Sequence, residues 1–467
     1  MRTPTFAMLA AALVTLTEPP FARGQTLDPP RALAHDIFKD LIVINTTDSV
    51  GSTTKAAEAM AARLRAAGFP EGDVRVLGPN DRKGNLVARL RGSGAARPLL
   101  LLAHLDVVEA RREDWSVDPF TFLEKDGYYY GRGTTDDKAM AAIFISNLIR
   151  FKQEGFKPDR DLIVALTADE EGGDFNGVQW LVANHRELIE AELALNEGGG
   201  GSIRDGRYIA NRVQASEKVY QDFTLEVKNP GGHSSLPVKD NAIYHLAAGL
   251  ARLAEFDFPV KLNEVTRAFF GRLAATQPGP LGDAMKGILK SPRTPGAVEA
   301  VGRLPYLNAM MRTTCVATML QGGHAANALP QTARANVNCR MLPGDTTEEV
   351  RATLVGVLAD EAITLTAVAP AKPSPPSPLR PEVTGAIERI TEEMWPGVPV
   401  VPVMGTGATD GLYLRKAGIP TYGVDGIFEN VDDTRAHGKD ERIGIKQFYD
   451  GQEFLYRLVK ALASPPS

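Results

Sequence analysis

The sequence predicts an α/β fold: a mostly parallel sheet covered by helices on both faces, with an α+β domain inserted into it. Two observations predict this. From about residue 30 to 215, apolar runs such as LLLLAH and DLIVALT alternate with amphipathic, helix-like stretches. Such alternation calls for a parallel sheet buried on both faces. Beyond it the pattern changes to period two, the mark of a half-exposed antiparallel sheet, and the first pattern then returns. The 467 residues suit roughly two domains.

The elements follow in order. Arg2, an apolar stretch from Phe6 to Leu16 and small residues at Ala22 and Gly24 read as a cleavable signal peptide, residues 1–24. The stretch is too short to span a bilayer, no later segment is apolar enough, and a secreted or periplasmic protein is expected. The first α/β part, 25–215, holds a helix over SVGSTTKAAEAMAARLRAAGF after its Ser/Thr start. Next come a strand in RPLLLLAHLD, a helix in KAMAAIFISNLIRFKQEG, a strand in RDLIVALTADE, a helix in VQWLVANHRELIE and a strand in AELALNE.

The inserted part, 216–368, has alternating strands in VYQDFTLEVKN, TCVATMLQGG and ARANVNCRML. NAIYHLAAGLARLAEF and TEEVRATLVGVLADEA are helices expected to lie on them. Residues 368–381, VAPAKPSPPSPLRP, predict a stiff extended connector. The second α/β part, 369–467, brings back a helix (EVTGAIERITEEMW), a strand (GIPTYGVDG) and a helix (KQFYDGQEFLYRLVKALA).

Lys and Arg total 52 against 57 Asp and Glu, net −5, with no basic run, so nucleic acid is not expected as a partner. The two cysteines, Cys315 and Cys339, read first as buried thiols. A cross-strand disulfide is the alternative, since both lie on β-like runs and an oxidising compartment permits the bond. Neither belongs to a CxxC pair, which removes thiolate zinc sites.

Four hydrophobic runs end on metal-type ligands: His104 and Asp106, Asp136, Glu170 and Glu171, and Glu197. His437 in TRAHGKDE is a fifth candidate ligand. Open α/β sheets bind ligands beyond the carboxyl ends of their strands, and these histidines and carboxylates could hold a pair of divalent cations. His104 and Asp106 leave a strand on the same face, which places Asp106 to orient the imidazole. Asp136 could equally be a plain helix N-cap. Glu170 and Glu171 are neighbours, so one can bind metal while the other faces substrate as a general base, although adjacent acids are also common on solvated loops. Their joint occurrence, in order, points to a hydrolase.

At these residues the chain resembles the co-catalytic zinc amidohydrolases and exopeptidases that include carboxypeptidase G, carboxypeptidase S, succinyl-diaminopimelate desuccinylase and aminoacylase. The motifs are AHLDVV, YGRGTTDDKA, ADEEGG, NEGG, GGHSSLP, NALP with CR-x-LP, and AHGKDE, running from about residue 100 to 441. NEGG and the long inserted domain resemble the carboxypeptidase S side most. Ala139 stands where the family commonly has Gly.

The resemblance implies the zinc-exopeptidase fold with a lid/dimerisation domain, and two Zn2+ ions, with cobalt or manganese as alternatives. One ion would sit among His104, Asp136 and Glu197, the other among Asp136, Glu171 and His437. Glu170 would be the general base, Asp106 the orienter of His104, and Asp136–Asp137 a cis peptide. His233 would stabilise the oxyanion, often in a partner subunit's site, and Arg340 and Asn327 would hold the substrate carboxylate and carbonyl. Thr409 and Asp410 would lie near the substrate. His35, His185, His245 and His324 match no motif and read as structural. The expected activity is a carboxypeptidase or dipeptidase, with an N-acyl-amino-acid deacylase next and a non-catalytic metal-binding protein as the remote alternative. Peptides or N-acyl amino acids are the expected substrates, and a homodimer through the lid the expected assembly.

Overall fold

The structure, a computed structural model, describes residues 27–291, 294 and 296–464; the expected signal peptide lies outside these residues. The principal strands are β1 (Val74–Leu77), β2 (Asn85–Leu90), β3 (Leu99–His104), β4 (Leu162–Thr167), β5 (Leu193–Asn196), β6 (Gly200–Arg204) and β7 (Arg207–Glu217). They continue with β8 (Val219–Lys228), β9 (Thr314–Gly322), β10 (Thr332–Met341), β11 (Ile363–Ala367), β12 (Val400–Gly405), β13 (Thr421–Gly423) and β14 (Phe428–Asn430). A ten-stranded sheet has the order β1-β2-β4-β3-β5-β13-β7-β6-β14, and β12 pairs with β7. Its centre, β4-β3-β5-β13, is parallel.

The alternation of side chains along β3 explains why its run is apolar throughout. Leu99, Leu101 and Ala103 enter a core shared with the helices Pro29–Val43, Thr53–Ala66, Lys138–Gln153 and Ile445–Leu462. Leu100 and Leu102 point to the opposite face, packing with Val178, Leu181 and Leu414. Both faces are therefore dry, as parallel sheets require. Each fully buried leucine contributes roughly 1.5–3 kcal/mol, so this run anchors the strand that carries His104.

A second sheet, β9-β10-β8-β11, is wholly antiparallel. The helices Ala242–Glu255 and Thr347–Leu358 cover one face through Leu246, Val350 and Leu354, against Phe223, Leu225 and Val337. Thr346 and Glu349 form a reciprocal capping box that starts the second helix. Cys315 and Cys339 are direct partners in the β9/β10 register, with Cα atoms 4.1 Å apart, and are joined as a disulfide. This corrects the first reading of two buried thiols: cross-strand pairing brings the sulfurs within bonding reach.

The stretch around 262–305, absent from the helix assignments made on periodicity, forms the helices Glu264–Thr276, Pro280–Lys290 and Ala297–Gly302, and Pro305–Met311 follows. Phe269, Phe270, Met285, Ile288 and Met310 pack there with Val401, Val403 and Met404 of β12, which belongs to the large sheet. The Pro-rich stretch then runs without helix or strand from Ala371 to Arg380, until Pro381 opens the helix Pro381–Met394.

Candidate metal centre and active site

His104 is the last residue of β3 and is buried. Its Nδ1 lies 2.9 Å from the backbone oxygen of Asp106 and 3.7 Å from that residue's carboxylate. Asp106 thus orients the imidazole through its carbonyl, where the sequence pointed to its side chain. The carboxylate does something else: it accepts hydrogen bonds from the amides of Glu170, at 3.1 Å, and Glu171, at 2.9 Å.

Asp136 sits just before the helix Lys138–Gln153, yet Asp137 holds the N-cap position and its side chain makes no capping bond. The Asp136 carboxylate instead lies between two imidazoles, 2.8 Å from His104 Nε2 and 3.0 Å from His437 Nε2. The plain N-cap reading therefore does not hold. The Asp136–Asp137 peptide is cis.

His437 is 301 residues from Asp136 in sequence, and a small sheet brings them together. Tyr128–Tyr130 pairs antiparallel with Arg442–Gly444, so the loop leaving one strand runs beside the loop entering the other. Glu441, whose side chain is fully buried, seals this junction. It pairs with Arg132 at 2.6 Å and accepts from the amides of Gly133, Thr135 and Asp136. Sequence reasoning did not single out Glu441, although it closes the AHGKDE motif.

β4 ends at Thr167, and Asp169 turns the chain through a left-handed conformation at φ 56°. The two following acids then diverge. Ligand atoms of His104, Asp136 and Glu171 lie within 4.8 Å of one another, and so do those of His104, Glu170 and Glu197. Glu171 Oε1 is buried and makes no hydrogen bond, although His437 Nε2 stands 2.8 Å away. An orphan carboxylate oxygen among imidazole and carboxylate donors fits a divalent cation, which such N/O sets bind.

The electrostatics follow from burial. Loss of water pushes the Glu170 carboxyl up to about 9, with Asp410, Asp106 and Glu171 adding to the effect and His104 opposing it. Burial also raises Glu171 to about 7, and Glu197 well above the carboxylate range. Asp136 goes the other way, because the two imidazoles outweigh its burial. Hydrogen bonding to Asp136, above all, lifts His437 to about 9. A cation's charge would counter the crowding of acids.

A cavity of about 700 Å³ opens beside Glu170 and Glu171, bounded by Lys218, Val219, Tyr220, Lys372, Thr409, Asp410 and Tyr413. Asp410 is buried and takes hydrogen bonds from Thr167 and Asn176. A smaller cavity, about 160 Å³, lies on the other flank between Asp136, Glu197, Arg212 and Asp425.

The three residues that the resemblance assigns to the lid lie elsewhere. His233 pairs with Ala328 in a two-stranded ribbon, and Ser234 donates to the carbonyl of Asn327 at 3.1 Å. Arg340, on β10, stacks 4.6 Å over the Tyr220 ring. None of His233, Asn327 and Arg340 lines either cavity.

A model of peptidase family M20/M25/M40 matches residues 100–461. The human N-fatty-acyl-amino acid synthase/hydrolase PM20D1 is 31% identical over 380 residues, covering 78% of this chain and 74% of that protein. Among solved structures, the M20 family metallo-carboxypeptidase Sso-CP2 of Sulfolobus solfataricus superposes with a TM-score of 0.66 at 17% identity, over 93% of this chain and 99% of that one. A dinuclear metal-binding M20 peptidase of Bacillus subtilis, YXEP, gives 0.59 at 11% identity, over 93% and 98%. The chain therefore belongs to peptidase family M20/M25/M40 and is a metal-dependent hydrolase of that family.

Proposed function

We propose that this protein is an exported, two-zinc hydrolase that cleaves an amide bond next to a free carboxylate, as a carboxypeptidase or dipeptidase. The observation that carries the reading is the cluster itself: His104, Asp136, Glu171 and His437 converge while Glu170, on the same turn, faces Glu197 and the larger cavity. We assign His104, Asp136 and Glu197 to one cation and Asp136, Glu171 and His437 to the other, with cobalt or manganese as alternatives to zinc. Residues 25–215 and 369–467 would form the catalytic part and 216–368 the inserted lid.

Bound cations would polarise the scissile carbonyl and make a water acidic. The chain's own residues do the rest. Glu170 takes the water's proton and delivers it to the leaving amine. Asp106 holds the Glu170 and Glu171 amides in register, and its carbonyl fixes the His104 tautomer. The Arg340 fork suits a carboxylate in bidentate geometry, Asn327 would bind the carbonyl, and His233 would stabilise the oxyanion. Because His233 and Asn327 lie outside both cavities, we expect a homodimer through the lid.

The N-acyl-amino-acid deacylase reading is the second, and the 31% identity to PM20D1 favours it. A panel of dipeptides, N-acetyl amino acids and long-chain N-acyl amino acids, assayed before and after chelation, separates the two. Chelator-sensitive release of amino acids from dipeptides supports the first, and preference for acyl substrates supports the second. Chelator-resistant turnover would rule out both.

A further inference from the structure

Lys83 lies between β1 and β2, in a segment with no catalytic motif, yet it reaches the turn that carries Glu170. Its ammonium is 2.5 Å from Asp169 Oδ1 and 2.5 Å from Asp48 Oδ1. The Asp169 side chain is fully buried and that of Lys83 only 10% exposed. The turn wraps this carboxylate. Asp169 Oδ2 accepts from the amide of Phe175 at 3.1 Å, and a Cβ on Gly173 would stand 2.3 Å from that same oxygen. Asn176 Nδ2 donates to the Asp169 carbonyl at 3.1 Å and to Asp410 at 2.6 Å.

Asp169 is also the residue whose left-handed backbone, φ 56°, turns the chain into Glu170 and Glu171. A non-glycine residue holds that conformation when its surroundings over-determine it. Here the surroundings are an ion pair on the side chain, an amide on the carbonyl and, one and two residues on, the Asp106 clamp. Without Lys83, the buried Asp169 carboxylate would keep the Phe175 amide and lose its counter-ion. A buried charge stripped of its partner is costly, and the turn wound around it would shift to relieve that cost.

We propose that Lys83, acting through Asp169, is a positioning residue for Glu170 and Glu171. It neutralises the buried carboxylate around which the turn is wound, and so fixes where the two glutamates point. The proposal rests on Glu170 being the general base, and the test separates the two ideas. In the full-length, metal-loaded protein, Lys83→Met should lower kcat by roughly tenfold or more, since small misplacements of a catalytic group are costly. KM should stay within about threefold, because the ion pair is buried beneath the turn.

Hydrogen exchange on the metal-free protein gives a readout independent of turnover: the Glu170 and Glu171 amides should exchange faster in Lys83→Met than in wild type. Lys83→Arg, which keeps the charge, should recover most of the kcat and the protection. Where Lys83→Met does not fold, Asp169→Asn tests the same link and should show the same faster exchange with the same kcat loss. Wild-type kcat and wild-type exchange in Lys83→Met would overturn the proposal, and so would a kcat loss that leaves both amides protected. Full turnover in Glu170→Gln would instead sink the general-base assignment, whatever the exchange data show.

Discussion

At the residue scale, Asp106 ties two parts of the site together. Its carbonyl meets His104 Nδ1 and its carboxylate grips the amides of Glu170 and Glu171. Asp106→Ala should therefore weaken metal binding and lower kcat together, by about 10–100-fold, the usual cost of losing a group that orients ligands. Metal titration beside steady-state kinetics checks this. Arg340→Ala should raise KM for carboxylate-bearing substrates while leaving thermal unfolding within a degree or two, since its exposed stacking on Tyr220 contributes about 0.5–1 kcal/mol. The cluster's residues stood out in sequence because His104, Glu170, Glu171 and Glu197 close apolar runs and Asp136 follows a Gly-Arg-Gly turn, and the structure brings them together. Lys83, Asp169 and Glu441 were not. Their work lies in contacts between residues far apart in the chain, such as the 86-residue separation of Lys83 and Asp169, and no local pattern marks such partners.

At the element scale, the antiparallel sheet and its approach carry two testable features. The Cys315–Cys339 bond closes a loop with a sequence separation of 24, so Cys315→Ser with Cys339→Ser should lose about 3 kcal/mol of stability on the chain-entropy estimate. Denaturant unfolding of the double variant beside wild type measures it. Lys218 stands between β7 and β8, where the chain passes from the large sheet to the antiparallel one, donating to the Arg312 carbonyl at 2.7 Å. Burial first, then the nearby Arg340 guanidinium, push its ammonium down to about 7 from the ordinary 10.5.

The sign follows from proton binding. Between about pH 7 and 10 the unfolded chain binds a proton that the native protein has lost, so this group makes stability rise with pH across that window. Lys218→Met should lack that rise, and unfolding free energies of the two proteins at about pH 7 and pH 9.5 should diverge accordingly. The strands of this sheet were legible from period two, whereas the cysteine bridge stood only as the alternative to two thiols, because a one-residue change of register would part them.

At the scale of the whole molecule, the change of hydrophobic period and its return coincide with the chain leaving the large sheet after β7 and rejoining it at β12. The large sheet's order was beyond reach, since hydrophobic runs carry no information about which strand lies next to which. The helices from Glu264 to Met311 were likewise missed: they bury Phe269, Phe270 and Met310 against β12 of the large sheet, which arrives only later in the chain. The candidate metal centre spans the same distances, joining β3, the turn after β4 and the loop before the last helix. Cations bound only by the native arrangement should therefore stabilise the entire fold, by about 2.7 kcal/mol at a hundredfold excess over Kd. The chelated protein should melt lower than the zinc-loaded one and recover on adding zinc.

The most direct measurement is metal content and turnover of Glu170→Gln beside wild type, by elemental analysis and hydrolysis of the preferred substrate. We expect about two cations per chain in both proteins, with turnover in the variant down by a factor on the order of 10³. A variant that still turns over at the wild-type rate, or that loses its metal along with its activity, would contradict a two-cation site served by Glu170 as its base.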